Sequence, residues 1–346
     1  MDLLRRTATR AALAPLGYLP AALRERLSVP KRTYEGDVLD DDVRLLLGLE
    51  RRLARVPYAD LGAVKARENY QEFGPLLVAD APAMESIEDR MIAGGDGPIP
   101  MRVYRPKGLG REAPALVYFH GGGFVLGDLE TYDGVCKLFA ARAQCVVLSV
   151  DYRLAPEHPW PAGPRDARAA FCAVLDAAAA LGLNRARVAV GGDSAGATLS
   201  ALTSLALRNT PYVPVLQLLV YPATDLTMQQ PSIDGLAEGL VLDRATMKWF
   251  MEQYLPSDCD RTDPAVSPLY ASLEGVCPAH VQTAGFDPLR DDGLEYVKKL
   301  RRAGAQVEHV HLGSLVHGYL NMGRMVPASF EGYDRAVRAL RRAFES

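Results

Sequence analysis

The chain has 346 residues, 49% of them hydrophobic, and its 39 Lys and Arg against 42 Asp and Glu give a formal net charge of -3. That apolar content excludes intrinsic disorder and suffices for one large α/β domain or two smaller ones. The near balance of charge, with no long basic stripe, argues against nucleic acid as a partner.

From the amino end, MDLLRRTATRAALAPLGYLP carries basic residues but no continuous apolar segment of signal-peptide type. No apolar run in the chain reaches membrane-spanning length, so the expectation is a cytoplasmic protein without stable membrane insertion. The spacing over the first thirty residues fits an amphipathic helix that covers the domain's own apolar surface, or one that lies on a membrane. Five cysteines (136, 145, 172, 259 and 277) are odd in number, widely spaced and free of any C-x-x-C pair. They fit a reducing compartment and read as buried thiols rather than disulfides or a zinc knuckle.

Two short runs, 84–92 and 99–104, joined through Gly94-Gly95-Asp96-Gly97-Pro98, predict an antiparallel hairpin. Apolar strand candidates follow at 115–119, 145–150, 187–190, 213–221, 280–284 and 306–312. Most are continuous rather than alternating, the pattern of strands covered on both faces. Segments 131–143, 163–181, 195–208 and 291–303 between them have helical spacing or composition. The expected fold class is α/β, a mostly parallel eight-stranded sheet flanked by helices. Two regions fall outside the alternation, residues 1–70 and residues 226–262. They are expected to meet above the carboxyl edge of the sheet as the two parts of a helical cap over a catalytic domain of residues 71–346.

Directly behind the strand at 115–119 comes His120-Gly121-Gly122-Gly123-Phe124. Three missing side chains allow unusual dihedrals and close approach to backbone N–H groups. The spacing matches neither the dinucleotide fingerprint nor the P-loop, since no Lys follows the last glycine. An oxyanion is the remaining charged ligand. Further on, Gly192-Asp193-Ser194-Ala195-Gly196 matches G-x-S-x-G between a predicted strand and helix. This turn presents a serine at a sharp corner; the bland competitor is a glycine-rich turn whose Ser merely caps the helix.

A serine nucleophile needs a base, and the base needs an acid that fixes its tautomer. Asp287 follows the strand at 280–284 and His317 follows the strand at 306–312, giving the order Ser, acid, His expected for such a fold. Asp225, Asp291 and Asp292 are competing acids, the last two having the look of first-turn helix residues. His309 and His311 share a strand face but lack an evident third metal ligand, so a polar strand face is the preferred reading. His158 reads as a loop residue and His120 as a brace for the glycine run. On this arrangement Gly122, Gly123 and Ala195 supply the oxyanion-hole amides, each worth ~3 to 4 kcal/mol in known cases. Phe124, Trp249, Phe250 and Tyr254 are candidates for the pocket or cap, although aromatics at helical spacing are commonly ordinary packing.

With these residues in view, the chain resembles the hormone-sensitive lipase (GDXG) family of α/β-hydrolases. The marks are HGGGF at 120–124, DYRLAPEHPWPA at 151–162, GGDSAGA at 191–197, YPATD at 221–225, DPLRDDG at 287–293 and HGY at 317–319. They span roughly residues 85–346. The resemblance implies a serine esterase acting on short- to medium-chain acyl esters, without cofactor or metal, under a cap of N-terminal and inserted helices. It carries the triad onto Ser194, Asp287 and His317, and the oxyanion hole onto Gly122, Gly123 and Ala195. The chain departs from the family with Asp292 where Glu is usual and Tyr319 where Phe is usual; Tyr319 adds a polar group near the base and, with Phe124, is taken as substrate-binding. An amidase or deacetylase using the same triad, or a hydrolase-like small-molecule-binding protein, is the alternative. The partner expected is a small ester, the protein a monomer or homodimer.

Overall fold

The computed structural model describes residues 19–53 and 56–345. A short helix α1 (Ala21–Leu27) and a two-strand ribbon, β1 (Thr33–Tyr34) and β2 (Asp37–Val38), open it. The rest of the predicted amino-terminal helix lies outside the described residues. Asp40 caps the next helix, α2 (Asp41–Arg52), by accepting from the amides of Asp42 at 2.8 Å and Val43 at 3.2 Å. Helix α3 (Tyr58–Leu77) is broken at Gly62, which sits at φ 72°, a conformation that glycine adopts without penalty.

The sheet begins with the hairpin β3 (Ser86–Ala93) and β4 (Pro98–Arg105), then alternates strand and helix. In chain order come β5 (Ala113–Phe119), α4 (Asp133–Ala143), β6 (Val146–Val150), α5 (Ala162–Asp176), β7 (Leu183–Asp193), α6 (Ala195–Leu207) and β8 (Gln217–Val220). Two helices, α7 (Pro231–Gly235) and α8 (Arg244–Tyr254), interrupt the alternation before β9 (Ala279–Phe286), α9 (Arg290–Arg302), β10 (Val307–Val316) and α10 (Phe330–Glu345). The eight strands lie in the order β10-β9-β8-β7-β5-β6-β4-β3, and only β4 runs antiparallel to its neighbours. The architecture is the expected one, a mostly parallel eight-stranded sheet with helices on both faces.

Both faces are covered, and the strand residues show it. Leu116 and Tyr118 of β5 point into a core with α4 and α10, whereas Ala115, Val117 and Phe119 point into a second core with α5. Side chains alternate by face while staying apolar, which explains continuous apolar runs. The strand expected at 213–221 shortens to Gln217–Val220. Pro211 and Pro214 have no amide to give a ladder, and the chain joins the sheet only beyond them. The cysteine expectation also needs correction: Cys136, Cys145 and Cys277 are buried free thiols, but Cys172 and Cys259 are only half-buried. Among the described residues no helix is long and apolar enough to cross a membrane.

Candidate active site

The carboxyl ends of β7, β9 and β10 bring three side chains together. Ser194 follows β7, Asp287 follows β9 and His317 follows β10. Ser194 Oγ lies 2.9 Å from His317 Nε2, and His317 Nδ1 lies 2.8 Å from Asp287 Oδ2. The other Asp287 oxygen accepts from the Leu289 amide at 2.8 Å, which fixes the carboxylate. With Nδ1 donating to the carboxylate, Nε2 is the lone-pair nitrogen that faces the serine hydroxyl.

Local backbone geometry explains the serine's exposure to the cavity. Ser194 sits at φ 53° and ψ -122°, a strained region for a residue with a Cβ, and its amide is anchored on the Val220 carbonyl at 2.9 Å. A Cβ on Gly192 would lie 2.3 Å from the Phe119 carbonyl oxygen, and one on Gly196 would lie 1.9 Å from it. Both flanking glycines are therefore demanded by the close crossing of β5 behind the turn.

The glycine run sits beside this corner. Gly122 (φ 117°) and Gly123 (φ 61°) both occupy left-handed backbone, and among the described residues nothing accepts from their amides. Ala195 is the first residue of α6, where amides lack a partner within the helix. Phe250 of α8 packs over the run so tightly that a Cβ on Gly123 would come within 2.3 Å of its ring. Behind the run, the buried His120 ring stacks on Tyr152 with centroids 4.5 Å apart, and burial pushes its imidazole pKa down. Tyr152 donates to the His120 carbonyl at 2.8 Å.

Gly122, Gly123, Ser194, Ala195 and His317 open on a cavity of about 370 Å³. Its upper walls come from α3, with Tyr58 and Asn69 inside residues 1–70 and Phe73 beyond them, and from Leu242, Met247 and Phe250 of residues 226–262. Phe124 is a wall residue whose ring stacks on Tyr254 at 3.8 Å. Trp249 stacks on Tyr58 behind the wall. Tyr319 does not fit its substrate-binding assignment. It is fully buried, edge-on to Tyr221, with its hydroxyl on Gln282 Oε1, and it is not among the residues that line the cavity.

The competing acids are occupied elsewhere. Asp225 binds Thr227 and Gln230, Asp291 accepts from the Ser232 amide, and Asp292 accepts from the amides of Thr224 and Asp225. His309 and His311 converge on the Thr283 hydroxyl, at 2.9 and 3.0 Å. Among the described residues no group of three or more His, Cys, Asp or Glu is arranged to hold a metal. His158 lies exposed in the loop after β6.

One site residue carries no assignment from sequence. Asp193, next to the nucleophile candidate, is 2% exposed and accepts four hydrogen bonds. Oδ1 receives the Tyr118 hydroxyl at 2.8 Å and the Gly121 amide at 3.0 Å; Oδ2 receives the hydroxyls of Tyr132 at 3.0 Å and Tyr221 at 3.2 Å. The available signal was an acid directly behind the apolar, buried stretch Val188-Ala189-Val190-Gly191-Gly192, where only a satisfied carboxylate is tolerable.

Residues 116–321 match the family described as alpha/beta hydrolase fold. Over 350 aligned residues the chain is 42% identical to the carboxylic ester hydrolase LipN of Mycobacterium tuberculosis, covering 97% of this chain and 91% of that protein. It is 35% identical to an ethyl acetate hydrolase of Pseudomonas putida, covering 82% of this chain and 92% of that one. Among solved structures, an ester hydrolase from the metagenome of Lake Arreo in complex with a bipyridine phosphonate derivative superposes with a TM-score of 0.86 at 38% identity, covering 89% of this chain and all (100%) of that one. An esterase of the archaeon Pyrobaculum calidifontis gives 0.84 at 36% identity, with 88% and 98% covered.

Proposed function

The chain belongs to the alpha/beta hydrolase family, and from that premise we propose that it is a carboxylic ester hydrolase working through Ser194, His317 and Asp287. The observation that carries the reading is the unbroken row Ser194 Oγ, His317, Asp287, with bonds of 2.9 and 2.8 Å, at the floor of a cavity that also exposes unpaired amides. His317 Nε2 takes the hydroxyl proton as Ser194 Oγ bonds to the ester carbonyl carbon. The carbonyl oxygen becomes an oxyanion held by the amides of Gly122, Gly123 and Ala195, each worth ~3 to 4 kcal/mol. The protonated imidazole then gives its proton to the leaving alkoxide, the C–O bond breaks, and an acyl-Ser194 remains. Water, deprotonated by the same nitrogen, releases the acid and regenerates the serine. Asp287 holds the imidazole tautomer throughout.

Within the family the motifs favour the hormone-sensitive lipase branch. Residues 1–70 and 226–262 act as the cap, a role supported by their walls over the cavity. A space of about 370 Å³ suits short- to medium-chain acyl esters. Free cysteines support a reducing, cytoplasmic setting.

The test is turnover of p-nitrophenyl butyrate by the native chain and by Ser194→Ala, with a fluorophosphonate as covalent probe. Native protein should turn over and label at Ser194, and the variant should do neither. Equal turnover in the two would overturn the assignment, and faster hydrolysis of butyryl anilide than of the ester would make the enzyme an amidase.

A further inference from the structure

We propose that Asp193 is a positioning residue that locks the glycine loop and the His317 ring onto the nucleophile, an inference that rests on the assignment of Ser194 and His317 above. Its four partners come from four places in the chain: Tyr118 from the end of β5, Gly121 from the glycine loop, Tyr132 from the entrance to α4 and Tyr221 from the end of β8. All four are neutral donors. Burial pushes the Asp193 pKa up, and the hydrogen bonds from Tyr118, Tyr132 and Gly121 oppose that push by favouring the carboxylate form.

Two of those bonds reach the reacting groups by one step each. Gly121 directly precedes the two glycines whose amides are unpaired, so its bond at 3.0 Å sets where those amides lie relative to Ser194. Tyr221, held through its hydroxyl, packs its ring 4.6 Å from the imidazole of His317 and limits ring rotation. Asp193 is itself the residue before Ser194, so one carboxylate couples nucleophile, oxyanion donors and base. The fit is close: a Cβ on Gly121 would lie 2.5 Å from Asp193 Oδ2 and 2.8 Å from the Tyr132 hydroxyl. Placement of amides to a few tenths of an ångström matters to the transition state far more than to ground-state binding.

The experiment compares Asp193→Ala, Asp193→Asn and Tyr221→Phe with p-nitrophenyl butyrate, with rates expressed per reactive serine by phosphonate titration. Removing the acceptor should lower kcat roughly 100-fold, the scale of one lost oxyanion donor, with KM changed less than about threefold. Asparagine keeps an oxygen for the Gly121 amide and should recover at least about tenfold of that loss. Tyr221→Phe keeps the ring on His317 and should lose about two- to fivefold in kcat. If Asp193→Ala does not fold, the last two variants decide. The proposal is overturned if kcat per titrated serine is unchanged in the variants, or if the whole effect falls on KM. Full activity in Ser194→Ala would instead sink the assignment of the site, whatever the Asp193 variants do.

Discussion

Several carboxylates gather at the carboxyl edge of the sheet, and their partners separate their duties. Asp287 and Asp292 are both fully buried, five residues apart in sequence, yet only Asp287 reaches the imidazole. Asp292 gives one oxygen to the amides of Thr224 and Asp225, while its Oδ1 has no partner and burial pushes its pKa well up. Both amides share one accepting oxygen of Asp292, which an asparagine also supplies. Asp292→Asn should therefore keep kcat within about threefold of the native value. Asp287→Asn presents an amide where a carboxylate fixed the tautomer, and should lose roughly a thousand- to ten-thousand-fold in kcat. Parallel kcat measurements on folded variants check the pair, and comparable losses in both would refute the division of roles.

At the scale of elements, the strands that carry the acid and the base are held by a piece far away in sequence. Gly285 on β9 and Gly313 on β10 leave a slot into which Asp37 of β2 inserts, with Asp37 also bonded to His311 at 2.7 Å. A Cβ on Gly313 would lie 2.2 Å from Asp37 Oδ1, whereas a Cβ on Gly285 would meet the Gly313 carbonyl oxygen at 1.9 Å. Gly313→Ala should thus destabilise by about 1 to 3 kcal/mol and be largely tolerated in an Asp37→Ala background. Gly285→Ala, whose obstacle is backbone, should not be rescued. Thermal melts of the singles and doubles read the coupling; additive losses at Gly313 would contradict it. This clamp was illegible in sequence because β1 and β2 have two residues each, too few for any periodicity. Inner strands such as β5 and β6 were legible because burial on both faces forces continuous apolar runs, and the more exposed β3 and β4 were legible through the glycine-rich turn that joins them. Helix α10 had a signal too, with Tyr333, Ala336, Val337, Leu340 and Phe344 on one buried stripe, but no element was assigned there. Ser194, Asp287 and His317 could be named from spacing because strand ends place them, whereas Tyr319 was misplaced because no local pattern says which side of His317 a neighbour packs on.

Across the whole molecule, acids and histidines that are half-buried or buried set opposing trends of stability with pH. Burial, with Asp128 nearby, raises the Asp151 pKa to about 6 against an ordinary value of 3.8. The native chain therefore holds that proton where the unfolded chain releases it, and stability is lost as pH rises from about 4 through 6. Burial, then His311, lowers the His309 pKa to about 4 from 6.5. Here the unfolded chain takes up the proton first, so stability is lost as pH falls from about 6.5 toward 4. His120 and His280, also lowered by burial, act in the same direction as His309. The two sets cancel in part over one window. Asp151→Asn removes one acid from the balance, since an amide stays neutral at every pH in the range. The excess of its melting temperature over the native value should be larger at pH 7.5 than at pH 4.5, by on the order of 2–4 °C. Melting curves of both proteins at the two pH values measure this, and an offset that stays the same at both would show that Asp151 does not titrate on its own between the folded and unfolded states.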